Sequence, residues 1–214
     1  MKRPCLEQCY YKVLDRDNVE IVDISEQSGN GIQEFTGTGI KTKDGKHYEL
    51  DIVALATGFD ITTGGMTNMG LQSIHGTTLQ NEWKKAANTY LGTTVSGYPN
   101  RFHLYGPHGP TLLSNGPSSI EVQGRWIRDA LKLINLKYVD ASPEATAEWK
   151  KHINELSDVT LLPTTRSTYM GGSVPGKTFE QVNYAGGIPA YVKEIRATLN
   201  DWKGFHTVAA TREW

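Results

Sequence analysis

The chain has 214 residues, with 22 Lys+Arg against 23 Asp+Glu and a formal net charge of -1. That length allows one large domain or one and a half smaller ones, with a sizeable core. The balanced charge argues against nucleic acid or an anionic membrane as partner. No window reaches the apolar length of a membrane span. The start, Met1-Lys-Arg-Pro-Cys5, lacks the apolar run of a secretory leader, so a cytoplasmic protein is expected. Cys5 and Cys9 lie four apart without clustered histidines, the pattern of reduced thiols, and no metal site is expected.

Residues 19–24 read as a short strand. Residues 32–35, 39–42 and 47–50 alternate around Lys43-Asp-Gly-Lys46, a hairpin signal. Residues 51–56 are nearly all apolar, the pattern of a strand buried on both faces, and Thr57-Gly58 ends it. A loop over 60–78 and a short helix over 79–87, anchored by Trp83, follow. Residues 101–105 form a further strand leading into the Gly/Pro-rich turn at 105–117. A helix over 117–137 carries Ile120, Trp126, Ile127, Ala130, Leu131 and Ile134 at near-helical spacing. Ser118 and Glu121 match a capping box at its start. Ser142 and Pro143 open a helix over 143–157. A Gly-rich loop at 168–177, a helix over 188–200 and a strand over 205–209 complete the chain. No internal repeat and no low-complexity tract is visible.

Few side chains carry a chemical signal on their own. The turn at 105–117 would let bare backbone approach a flat or phosphorylated ligand. Lys2 and Arg3 could contact a phosphate, or simply lie in a solvated end. Thr57, Gly58 and Asp60 close a strand, where open α/β folds bind ligands, or form an ordinary turn. His103 and His108 flank residues 105–107 and could act as acid or base, or serve as structural histidines. His47, His75, His152 and His206 show no ligand pattern, and Glu144, Glu148 and Glu155 read as solvated charge. There is no Gly-x-Ser-x-Gly elbow for hydrolysis. No Gly-x-Gly-x-x-Gly follows a strand, so the sequence holds no dinucleotide-binding first turn.

A collinear set of motifs covers nearly the whole chain. It runs through Lys2-Arg-Pro4, Tyr10-Tyr11, Asp15-Arg-Asp-Asn-Val19, Asp44-Gly45, Tyr48-Glu-Leu-Asp51 and Ala56-Thr-Gly-Phe-Asp60. It continues with Thr89-Tyr-Leu-Gly92, Gly97-Tyr-Pro-Asn100, Tyr105-Gly-Pro107, Gly109-Pro-Thr-Leu-Leu-Ser-Asn115, Ile120-Glu121, Trp126-Ile127 and Val174-Pro-Gly-Lys177. Together they resemble the C-terminal half of the Baeyer–Villiger monooxygenases, class B flavoproteins that use FAD and NADPH to convert a ketone to an ester or lactone. The resemblance implies an incomplete FAD/NAD(P)-binding α/β fold, α+β in isolation. It implies a remnant of the NADPH domain over 1–58 and part of the FAD/substrate domain over 59–214.

By the same resemblance, Lys2 matches a lysine that contacts the NADPH 2′-phosphate, and Arg3 an arginine that stabilises the peroxyflavin. Thr57, Gly58 and Asp60 match the junction motif between nucleotide domains. Thr111, Leu112 and Leu113 match a substrate-side bulge, and Ser114, Asn115 and Gly116 match positions near the flavin ring. Two departures stand out: Thr168 occupies the place of the family's tryptophan in the late loop, and Ser173 that of its asparagine.

Three functional readings follow. The first is a monooxygenase piece acting on a hydrophobic small molecule, completed by an N-terminal chain or hidden in a homo-oligomer. The second is a cofactor-independent cyclase, isomerase or dehydratase using Tyr105, His103, His108 and Glu121. The third is a non-catalytic binding protein.

Overall fold

The structure, a computed structural model, describes residues 6–25, 27–112, 114–133, 136–165, 167–171 and 174–209. Lys2, Arg3, Cys5, Leu113 and Ser173 lie outside these residues. The chain divides into two compact units, Arg3–Thr57 and Gly58–Trp214 (with Met1–Lys2), and each is described by itself.

The smaller unit opens with a single helical turn, α1 (Tyr10–Leu14), none of it buried. Its sheet is the expected meander of β1 (Ile32–Thr36), β2 (Gly39–Thr42) and β3 (His47–Glu49), antiparallel in the order β1-β2-β3. The tight turn is built by Asp44. Its Oδ1 accepts from Thr42 Oγ1 at 2.6 Å and from Lys46 N at 3.0 Å, while Gly45 takes φ 87°. Gly39 is obligatory, because a Cβ there would lie 1.9 Å from the Tyr48 carbonyl oxygen.

Two expected strands are absent. Residues 19–24 are irregular, although Val22 and Ile24 line an open cleft with Ile32, Ile40 and Leu50. Residues 51–56 are also irregular, and every one is exposed, Ile52 at 85% and Leu55 at 72%. Composition can favour a doubly buried strand, but a strand forms only where a neighbour supplies the hydrogen-bond ladder. Among the described residues, neither run is paired with a strand of this unit.

The larger unit holds α2 (Gly64–Thr67), α3 (Leu79–Glu82), α4 (Gly116–Leu133), β4 (Leu136–Ala141), α5 (Pro143–Asp158), α6 (Ile188–Ala197) and β5 (Phe205–Ala209). Short 3-10 turns lie at Leu162–Thr164 and Thr168–Met170. The strand β4, unforeseen in the sequence, pairs antiparallel with β5 from Leu136↔Ala209 to Ala141↔Phe205. Ser142 caps α5 as expected, its Oγ accepting from Ala145 N at 3.1 Å.

The helix α3 stops at Glu82 rather than near residue 87. The carbonyl of Trp83, which a longer helix would need, accepts from Lys177 Nζ at 2.7 Å, and Lys85 O accepts from Thr178 N at 2.8 Å. Residues 101–105 are not a strand, because left-handed Asn100 (φ 57°) and Tyr105 (φ 56°) bracket them and break the extended run. The Ser118–Glu121 capping box is not formed either. Asn115 Oδ1 accepts from Ser118 N at 3.2 Å, and Glu121 pairs one turn on with Arg125.

The main core joins α4, α5 and α6 through Trp126, Ala130, Trp149, Ile153, Tyr191 and Ile195, closed by Tyr90, Leu91 and Tyr184. Trp126 Nε1 donates to Ile195 O at 2.7 Å, tying α4 to α6. Smaller clusters form around Leu79, Trp83 and Tyr98, and around Leu112, Leu162 and Met170. Among the described residues, no helix is long and apolar enough to cross a membrane and no group of three His, Cys, Asp or Glu could hold a metal ion.

Candidate functional site

Two constructions in the larger unit gather the candidate residues. The first is the turn at 105–117, held against the core by buried polar groups. Tyr105 is 41% exposed and left-handed, and its backbone N–H donates to Gln123 Oε1 at 2.8 Å. Its ring covers the start of α4, where a Cβ on Gly116 would lie 3.4 Å from it. Ser114 Oγ donates to Pro110 O and lies 2.7 Å from Ser119 Oγ, which donates to the same carbonyl at 2.6 Å. Asn115 caps α4, so the first turn of the helix is already supplied with a side-chain acceptor.

The histidines of this turn are not presented to a cleft. His108 is fully buried, with Nδ1 3.1 Å from Thr89 Oγ1 and its backbone N–H donating to Val182 O at 2.8 Å. His103 is 8% exposed, and its ring lies against Gly106, where a Cβ would fall 2.4 Å from Cδ2. Burial first, then the charge of Arg101 and the neighbouring His108, pushes His103 down to about 3; burial and the charge of Lys150 push His108 down to about 3. Both are neutral at physiological pH. Thr111 and Leu112 are buried as well: Thr111 Oγ1 accepts from Asn183 Nδ2, and Leu112 packs on Leu162 and Met170. Glu121 points to solvent beside Arg125. The proposed acid/base set of Tyr105, His103, His108 and Glu121 is therefore split between core and surface.

The second construction is a small cleft of about 370 Å³, counting its open mouth. It brings together Asp60, Thr63, Lys85, Thr168, Lys177 and Glu180. Burial raises the Asp60 pKa, but hydrogen bonds from the Thr63 hydroxyl and N–H, Lys177 at 4.0 Å and the Gly64 N–H outweigh it, and the net shift is downward. Asp60 is thus an anion with its partners in place. Thr168 faces the same cleft from the 3-10 turn Thr168–Met170. Thr57 and Gly58 are exposed, and Gly58 takes φ 91° with open space beside it.

Sequence reasoning missed Lys177 as a cleft residue and Gln123 as the anchor of the turn. Lys177 stands out in the sequence only as the end of a motif. Gln123 carries a signal: it is a polar residue three before Trp126 and seven before Ala130, on the apolar stripe of α4.

No family model matches the chain. Comparison with known proteins does find relatives. The chain is 52% identical over 215 residues to FAD-binding monooxygenase acrE of Aspergillus aculeatus, covering 99% of this chain and 36% of that protein. It is 36% identical over 207 residues to cyclopentanone 1,2-monooxygenase of Comamonas sp., covering 95% of this chain and 36% of that protein. Among solved structures, the closed crystal structure of cyclohexanone monooxygenase superposes with a TM-score of 0.86 at 33% identity, over 97% of this chain and 39% of that one. Oxidized steroid monooxygenase bound to NADP gives 0.78, also at 33% identity, over 97% of this chain and 39% of that one. The chain spans little more than a third of the length of the curated relatives it matches. Its fold is that of an incomplete flavoprotein monooxygenase, and the chain belongs, as a C-terminal segment, to the FAD-binding Baeyer–Villiger monooxygenase family.

Proposed function

We propose that this chain supplies one wall of a Baeyer–Villiger-type oxygenase that converts a hydrophobic ketone to an ester or lactone at the expense of NADPH and oxygen. We assign the main binding surface for FAD and NADPH to a complementing N-terminal segment. The observation that carries the reading is the near-complete collinear match to flavin monooxygenases, at 52% identity to acrE.

The described residues do not by themselves fit FAD. A pyrophosphate needs a glycine turn opening directly onto a helix N-terminus with free N–H groups. Gly58 opens onto no helix, and at α4 the Ser118 N–H is already taken by Asn115. What the chain contributes instead is surface. The Tyr105 ring lies over the start of α4, and Asn115 and Gly116 form that start. The Asp60–Lys177 cleft lies beside Thr168. Lys2 and Arg3 are assigned to the phosphate and oxygen-reactive side by resemblance. Thr168, smaller than the tryptophan the family carries there, leaves room on the side facing the ketone.

The test is to combine the chain with the part of acrE that lies outside the matched region. Oxidation of NADPH stimulated by a cyclic ketone, with lactone formed, is expected. A soluble complex that oxidises no NADPH in the presence of a ketone panel would contradict the reading.

A further inference from the structure

Backbone in the left-handed region is concentrated around one buried side chain. Leu91 (φ 57°), Gly92 (φ 63°), Tyr105 (φ 56°) and His108 (φ 62°) belong to two loops that cross in the core. The crossing is so close that a Cβ on Gly92 would lie 2.5 Å from Gly109 N. Gln123, fully buried on α4, bridges both loops. Its Oε1 accepts from Tyr105 N–H at 2.8 Å. Its Nε2 donates to Gly92 O at 3.1 Å and to Tyr191 Oη at 3.1 Å. Tyr191 Oη in turn donates to Leu91 O at 2.5 Å, which carries the link to α6. Gly109 packs on the same amide, since a Cβ there would lie 2.8 Å from Nε2.

A non-glycine residue keeps a left-handed conformation only where its surroundings over-determine it. For Tyr105 the determinant is visible: one amide accepts its N–H and is itself fixed by two donated bonds. An isolated hydrogen bond would leave the carboxamide free to rotate, whereas here Oε1 and both Nε2 hydrogens are all committed. We propose that Gln123 is the positioning residue of the 105–117 wall. It holds the left-handed turn at Tyr105 and the ring over Gly116, and so sets the shape of the surface that Tyr105, Asn115 and Gly116 offer to the ketone. The part concerning the ketone rests on the function proposed above; the part concerning Tyr105 does not.

Amide hydrogen exchange tests the positioning directly. In the unaltered chain, Tyr105 N–H, in an exposed turn outside any helix or strand, exchanges at least roughly a hundredfold more slowly than an unstructured amide. Exchange at the unstructured rate would overturn the proposal. Gln123→Met, of similar volume but without the acceptor, removes that protection, and Gln123→Glu, which keeps an acceptor, restores most of it. A folded Met variant with unchanged Tyr105 protection would also overturn it. If the Met variant does not fold, the unaltered chain and the Glu variant still decide. In the complemented enzyme, Gln123→Met changes the ratio of kcat/KM between a small and a bulky cyclic ketone by about tenfold or more. A ratio unchanged within twofold would refute the link to substrate shape. If the unaltered complex is inactive, the proposed function fails, and the exchange arm alone judges Gln123.

Discussion

At the residue scale, the histidines of the 105–117 turn are the clearest case of a signal with two physical readings. A His beside a glycine turn is a reasonable acid or base, and only burial decides otherwise. His103 and His108 are both held near 3, against an ordinary value of 6.5. Between those values the unfolded chain binds more protons than the folded one, so stability is complete above about pH 6.5 and falls as pH drops. Urea unfolding at about pH 7 and about pH 4.5 is expected to show a loss on the order of 2 kcal/mol per histidine. The variant His108→Gln is expected to show a visibly shallower dependence on pH, and equal slopes for variant and parent would refute this account. The sequence marks these residues because they stand on either side of Tyr105-Gly-Pro107, the start of the Gly/Pro-rich turn. It does not show that Thr89, Val182 and Gly106, distant or silent in sequence, close around them.

At the element scale, local chemistry explains the elements that formed, and tertiary partners explain those that did not. The β1–β3 meander was legible from alternation and the Asp44-Gly45 turn, and α5 from Ser142 and Pro143. By contrast α3 is cut short where Lys177, distant in sequence, takes the Trp83 carbonyl that a helix reaching residue 87 would have used. The strand β4 escapes notice because the helical spacing of α4 reads on past its end, and its partner β5 lies at the far end of the chain. Two glycines separate local from tertiary constraint. Gly124, inside α4, has nothing within 4 Å of where an added Cβ would sit, and Gly124→Ala should stabilise by about 0.5–1 kcal/mol in denaturant unfolding. Gly92→Ala faces Gly109 N at 2.5 Å with φ 63°, and should cost roughly 3 kcal/mol or more. Similar midpoints for the two variants would contradict the close loop crossing around Gln123.

At the scale of the whole molecule, the family was legible because its motifs occur in order along almost all of the chain. What each motif touches was not. The run at 51–56 has the composition of a strand buried on both faces, yet every one of its residues is exposed. Such a surface suits a sheet supplied from elsewhere. That observation accords with a segment spanning 36% of its relatives and with the proposed need for a complementing chain. The most direct measurement is the visible flavin absorbance retained after FAD loading and gel filtration, for the chain alone and for the chain combined with the N-terminal portion of acrE. The account predicts no retained flavin for the chain alone and about one equivalent in the complex. One equivalent retained by the chain alone, or none by a well-formed complex, would contradict it.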